Sequence, residues 1–197
     1  MLTTEQAAQL YQNDSAHDFD HVLRVLANAQ HIGTAENANM DILRTAVLLH
    51  DIARADQYRT GKDHAAEGAR RAREMLQDAG QPEEFIEAVC HAIAAHRFRV
   101  NNPPKTLEAK ILYDADKLDS IGAVGIARAF AFGGFKNRPL WREDDSGEHS
   151  TLQEFRVKLV KVKDTLFTQT ARQMAQKRHN YMVGFFEQMT AEIEGQK

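Results

Sequence analysis

In this 197-residue chain the adjacent pair His50-Asp51 interrupts an apolar run, and His21 before it and Asp116 after it carry the same donor types. An imidazole or a carboxylate is costly to desolvate unless it is paired or bound to a cation. Yet His50-Asp51 sits in "AVLLHDIAR", an apolar run with helical rhythm, and Asp116 in "ILYDADKLDSIG". A divalent ion needs donors that converge from separate elements. Here His21 falls on a second helix, His50 and Asp51 on a third, and Asp116 on a later one. Two histidines and two aspartates form a mixed nitrogen and oxygen set that suits manganese, iron, cobalt, nickel or zinc, and magnesium less well. Such an ion polarises a phosphoryl oxygen and lowers the pKa of a bound water, which is the chemistry of phosphate hydrolysis. His21, His50, Asp51 and Asp116 are therefore the candidate metal ligands, with manganese the favoured ion.

Cationic and acidic groups cluster in the same stretches. Arg54 follows His50 by one helical turn, and Arg59 and Lys62 lie in the polar segment beyond it. A guanidinium fork matches two phosphate oxygens at once, although each of these cations can equally serve as a surface pair. Arg97 and Arg99 add charge after His96, and Lys117 follows Asp116 directly. Asp119 stands three residues after Asp116 and shares its face if the helix continues. There it can accept a proton from the attacking water or orient a ligand histidine. His17 lies one turn before His21 and either faces the substrate or sits on the helix surface; Asp18 reads as a helix cap. Tyr58 and Phe98 either stack on a base or simply pack. Cys90 reads as buried filler, and Gly122, Gly125, Gly133 and Gly134 lack the strand-to-helix setting of a phosphate loop.

The elements that must position these groups are helical, because apolar residues recur at spacings of three and four and only four prolines are present. Thr3 or Thr4 caps a short first helix. The segment "HDFDHVLRVLANAQHIG" puts Phe19, Val22, Leu23, Leu26 and Ala29 on one stripe and ends at Gly33. Next, "ANMDILRTAVLLHDIARA" is apolar all round, as a central helix would be. A polar loop, "DQYRTGK", leads to "DHAAEGARRAREMLQDAG", which Gly80 stops. Pro82 starts a helix carrying Phe85, Ile86, Val89, Ile93 and Ala94, and "NNPP" breaks the chain again. Then come "TLEAKILYDADKLDSIG" and "AVGIARAFAFGG". An irregular stretch over residues 134–152 either forms surface loop or covers a cavity. The helices "LQEFRVKLVKVKDTLF" and "TARQMAQKRHNYMVGFFEQMTAEIE" finish the chain. The expectation is an all-α bundle in one domain over residues 1–197, with its core over about 17–130 and helices over about 152–193 packed on it.

A net charge of -3 gives no general attraction to nucleic acid or to anionic membrane, so an anionic substrate must be drawn by a local site. One cysteine excludes an intramolecular disulfide. The N-terminal residues lack a basic stretch followed by an apolar core, and no segment reaches 18 uninterrupted apolar residues. These features predict a cytoplasmic location. The apolar faces in "FRVKLVKVKDTLF" and "YMVGFFEQM" predict a homodimer.

His21, His50-Asp51 and Asp116, with the flanks "HDFDHVLRV", "AVLLHDIAR" and "ILYDADKLDSIGAVGIAR", resemble the HD-domain metal-dependent phosphohydrolases over residues 17–130. The segments "HAAEGARRA" around His64 and "IAAHRF" around His96 are most similar to a small stand-alone bacterial subgroup that includes a nucleoside triphosphate pyrophosphohydrolase. The resemblance implies an HD-type helical bundle and a nucleotide or small phosphate as substrate. It implies cleavage of phosphate anhydrides or esters of nucleotides without fixing which bond; the favoured reading is hydrolysis of nucleoside or deoxynucleoside triphosphates with release of pyrophosphate. The alternatives are, in order, a phosphomonoesterase, a cyclic phosphodiesterase and a non-catalytic nucleotide-binding module. In relatives with two ions, histidines at the places of His64 and His96 bind the second. Because His91 and His96 splay on a helix, a single ion is expected here, with His64 and His96 reaching phosphate or water. The candidate catalytic residues are thus Asp51, Asp119, His64 and Arg54. The candidate substrate contacts are His17, Arg54, Arg59, Lys62, His96, Arg97 and Lys117.

Overall fold

All regular structure among the described residues is helical, as the spacing of apolar residues predicts. The computed structural model describes residues 2–11, 19–97, 102–142 and 150–196. The chain forms two compact units, residues 1–116 and 117–197, whose boundary falls inside a continuous helix.

The first unit contains α1 (Thr4–Ala8), α2 (Phe19–Glu36), α3 (Met40–Leu49), α4 (Arg54–Thr60), α5 (His64–Asp78), α6 (Glu83–Ala94) and most of α7 (Leu107–Leu118). Thr3 caps α1 in a reciprocal box with Gln6. Helix α3 is central, packing against α1, α2, α5 and α6. That position explains its all-round apolar character: Leu43, Ala46, Val47, Leu48 and Leu49 are all buried. Asn39 starts it by accepting the Asp41 and Ile42 N–H groups. The buried stripe of α2 is Val22, Val25, Leu26, Ala29 and Ile32, whereas Leu23 of the expected stripe is exposed.

Within the first unit, three features differ from the sequence expectation. Helix α2 runs through Gly33 to Glu36 and stops where Asn37 takes a positive φ of 58°. Gly33 serves close packing instead, since a Cβ there would stand 2.6 Å from Leu43 Cδ2 and 2.9 Å from Met40 Sδ. The expected long helix through "HDIARA" ends at Leu49, and the stretch expected as the loop "DQYRTGK" is largely helix α4. Helix α5 follows its Asp63 cap and ends before Gly80, whose φ is +67°, as expected.

The second unit holds α8 (Gly122–Phe135), α9 (Thr151–Val157), a 3-10 helix over Leu159–Asp164, and α10 (Gln169–Ile193). Phe155 stacks on Phe186 with ring centroids 4.2 Å apart. The single helix expected over residues 152–167 is two pieces. Its second half buries Leu159 and Val162, three apart, which suits three residues per turn. Among the described residues, no single helix is long and apolar enough to cross a membrane.

Gly68 of α5 lies where α3 ends. A Cβ at this position would stand 3.3 Å from the His50 carbonyl oxygen and 3.5 Å from Ile93 Cγ2. Replacing Gly68 with Val should therefore overpack this contact and cost about 1–3 kcal/mol, read as a lower urea midpoint. An unchanged midpoint would show that α5 can move away freely.

Candidate metal centre

The end of α3 determines how the first donors are presented. A helix leaves its last carbonyls without intrahelical partners. His50 is the capping residue, and its Nδ1 lies 2.7 Å from the Val47 carbonyl oxygen. A carbonyl can only accept, so Nδ1 carries the proton and Nε2 of the neutral ring carries a lone pair. Tyr11, from the segment after α1, satisfies the Leu48 carbonyl at 2.9 Å. Helix α6 ends in the same way: the His96 Nδ1–H donates to the Ile93 carbonyl at 2.6 Å.

His50 Nε2 and Asp51 Oδ1 are buried, and neither has a well-formed hydrogen bond. His50 Nε2 lies 3.8 Å from Asp51 Oδ2, and His21 Nε2 lies 4.0 Å from the same oxygen and 3.3 Å from Asp116 Oδ1. Donors bound at about 2.1 Å to one ion stand about 3 Å apart when adjacent and about 4 Å apart when opposite. These separations therefore fit a divalent ion, and so does the orphaned buried lone pair of His50. The other Asp51 oxygen, Oδ1, lies 3.2 Å from His64 Nε2 and 3.5 Å from His96 Nε2. Two donor triads thus share Asp51: one with His21 and His50, the other with His64 and His96. The sequence reading found no full second set because His91 and His96 splay. In the structure Asp51 itself supplies the third donor, and His91 turns to accept the Lys105 N–H.

The remaining candidates are placed as follows. Arg54 Nη1 lies 3.0 Å and 3.1 Å from the two nitrogens of His64. Arg59 pairs with Asp56 while most of its side chain stays exposed, and Lys62 is exposed. Arg97 bonds to Asp63, the cap of α5. His17, Asp18, Phe98, Arg99 and the Tyr58 side chain lie outside the described residues. In the second unit, α7 ends at Leu118, so Asp119 lies past the helix on which its alignment with Asp116 was argued. Asp119 is buried and accepts from Arg128 Nη1 at 2.5 Å; Lys117 is half-buried. Sequence reasoning missed Tyr11, Gln57 and Arg128. Only Arg128, a charge within the apolar run "GIARAFAF", carried the same signal as His50-Asp51.

Burial lowers His50 to about 4 and His64 to about 3, with His96 and Arg54 adding to the effect on His64. Burial alone would raise Asp51, but the surrounding His50, His96 and His64 hold it well below the usual carboxylate range. Both effects leave the donors in the protonation states that a cation needs. A histidine whose native pKa lies below its ordinary 6.5 binds its proton only on unfolding. The stability linked to it is intact above 6.5 and is lost as pH falls toward the native value. The urea midpoint of chelator-treated protein should therefore fall as pH drops from 6.5 to 4, and less steeply in His64→Asn. A pH-independent midpoint would contradict the buried neutral imidazoles.

Residues 18–121, more than half of the chain, match the HD domain family. YpgQ of Bacillus subtilis is 37% identical over 190 residues, spanning 94% of this chain and 89% of YpgQ. The crystal structure of YpgQ in complex with ADP matches with a TM-score of 0.78 and 33% identity, covering 99% of this chain and 100% of that one. An HD-superfamily hydrolase from Bacillus thuringiensis gives 0.77 and 34% identity, covering 97% and 96% of the two chains. Another, from an uncultured Thermotogales bacterium, gives 0.69 and 35%, covering 96% and 88%. HD domains bind divalent metal ions, and the buried histidine and aspartate cluster of the first unit is a donor set of that kind. By sequence over most of its length and by fold, this chain belongs to the HD-domain family of metal-dependent phosphohydrolases.

Proposed function

We propose that the protein hydrolyses nucleoside or deoxynucleoside triphosphates and releases pyrophosphate, with manganese the preferred ion. The observation that carries the hydrolytic reading is the orphaned His50 Nε2, buried beside Asp51 and His21 with its other nitrogen committed to Val47. The nucleotide part rests on the subgroup resemblance and on YpgQ, whose crystal structure contains ADP.

In this reading His21, His50, Asp51 and Asp116 hold the ion. When bound, it supplies Lewis-acid polarisation of a phosphoryl oxygen and a water of lowered pKa. His64 and His96 present nitrogens on the other side of Asp51, where a phosphate proton or a further cation is accepted. Arg54 lies against His64 and brings a permanent positive charge to the same side. Arg59 and Lys62 are exposed and reach the outer phosphates, while Arg97, tied to Asp63, adds to the local positive field. Asp119 and Lys117 are assigned assisting roles on sequence order and the family resemblance alone; Arg128 holds the Asp119 carboxylate.

Incubating the protein with individual nucleotides and with manganese, magnesium, cobalt or nickel, and identifying both products, tests this directly. A nucleoside monophosphate and pyrophosphate are expected from a triphosphate. Inorganic phosphate from a monophosphate would replace this reading with the phosphomonoesterase. Asp51→Asn should lower kcat by at least about 100-fold through loss of the shared carboxylate, and full activity in that variant would remove Asp51 from the mechanism.

A further inference from the structure

His50 caps α3 and His96 follows the cap of α6, where carbonyls of the last helical turn are at hand to take the Nδ1 proton. His64 is the first residue of α5, directly after its Asp63 cap. A helix N-terminus presents N–H groups, not carbonyls, so the backbone offers this imidazole no comparable acceptor. The structure supplies one from a side chain instead: Gln57 Oε1, on α4, is hydrogen-bonded to His64 Nδ1. His64 Nε2 then faces Asp51 Oδ1 at 3.2 Å and His96 Nε2 at 3.2 Å.

The contact with Arg54 does not compete for this role. Its Nη1 is nearly equidistant from both ring nitrogens, at 3.0 Å and 3.1 Å. An in-plane position equidistant from the two nitrogens is occupied by the Cε1–H, so the guanidinium lies over the ring face. It crowds neither lone pair. Helix α4 is itself held to α5 through Asp56, which pairs with Arg71. The Gln57 amide therefore approaches the ring from an anchored element.

We propose that Gln57 is a positioning residue for the hydrolysis: by accepting the Nδ1 proton of His64 it fixes the tautomer that presents Nε2 to Asp51 and His96. The inference rests on the hydrolytic reading of the site for its functional consequence, but its structural content stands apart from any substrate. A second partner that locks a functional imidazole commonly affects activity by about 10–100-fold.

The nitrogen chemical shifts of His64 in the metal-free protein report its tautomer without nucleotide or turnover. His64 should carry its proton on Nδ1 in the wild type and in Gln57→Glu, which keeps an acceptor, and lose that preference in Gln57→Leu. With the triphosphate that the protein cleaves, Gln57→Leu should lower kcat by about 10–100-fold with KM little changed, and Gln57→Glu should restore most of it. A wild-type ring protonated on Nε2 overturns the proposal, even if Gln57→Leu fails to fold. So does an unchanged tautomer, or unchanged kcat, in a folded Gln57→Leu. If no nucleotide is cleaved, the proposed function fails and the tautomer still decides the role of Gln57.

Discussion

The hydrogen bond from an imidazole Nδ1 to a carbonyl of the preceding helical turn governs the site. It answers two demands at once. The Val47 carbonyl at the end of α3 holds only a long bond, 3.5 Å, from the His50 backbone N–H and gains a shorter one from the ring, and the centre needs His50 to present a bare nitrogen. Satisfying the first produces the second, because a neutral ring carries one proton and Nδ1 has claimed it. The same solution recurs at His96, just past the cap of α6. Two helix termini thereby present two oriented candidate donors, and a third imidazole, at a helix start, must find its acceptor elsewhere.

The arrangement is strained in its electrostatics without a cation. Lone pairs of His50, His64 and His96 converge on one buried carboxylate, and an unpartnered buried acceptor costs about 1–3 kcal/mol. The apolar framework that surrounds α3 must hold these groups together against their preference for water. An ion bound by the folded chain and not by the unfolded one relieves that conflict and adds its binding free energy to folding. Affinity for metal and stability of the first unit are consequently one quantity viewed from two sides.

How much of this could be read from the sequence depended on which groups leave a pattern. Helical spacing gave the number and order of most helices, and Gly80 and Pro82 marked ends that the structure keeps. His50-Asp51 was conspicuous because polar groups in an apolar run demand a reason. The end of α3 was not legible, because "LLHDIARA" continues the apolar rhythm past the point where the backbone leaves the helix. Gly33 misled in the opposite way: a usual stop signal served instead to let α2 approach α3. Gln57 left no trace at all. A neutral amide in a polar segment has no motif, and its role depends on where a ring seven residues later points.

The break after Leu49 is where local pattern and fold disagree most, and such disagreement is expected at functional sites. An uninterrupted helix would carry Arg54 and Gln57 onward in the direction of α3. The turn over residues 50–53 redirects the chain, and α4 returns both side chains to the first residue of α5. Gly68 keeps this corner narrow, since its missing side chain lets α5 lie against the His50 carbonyl. The apolar residues of "AVLLHDIAR" thus do more than fill a core: Leu48 and Leu49 fix the helix end, and Ile52 and Ala53, buried in the turn itself, hold the redirection in place. The tight burial of that turn is what lets a short polar helix act with precision on an imidazole it meets only through side chains.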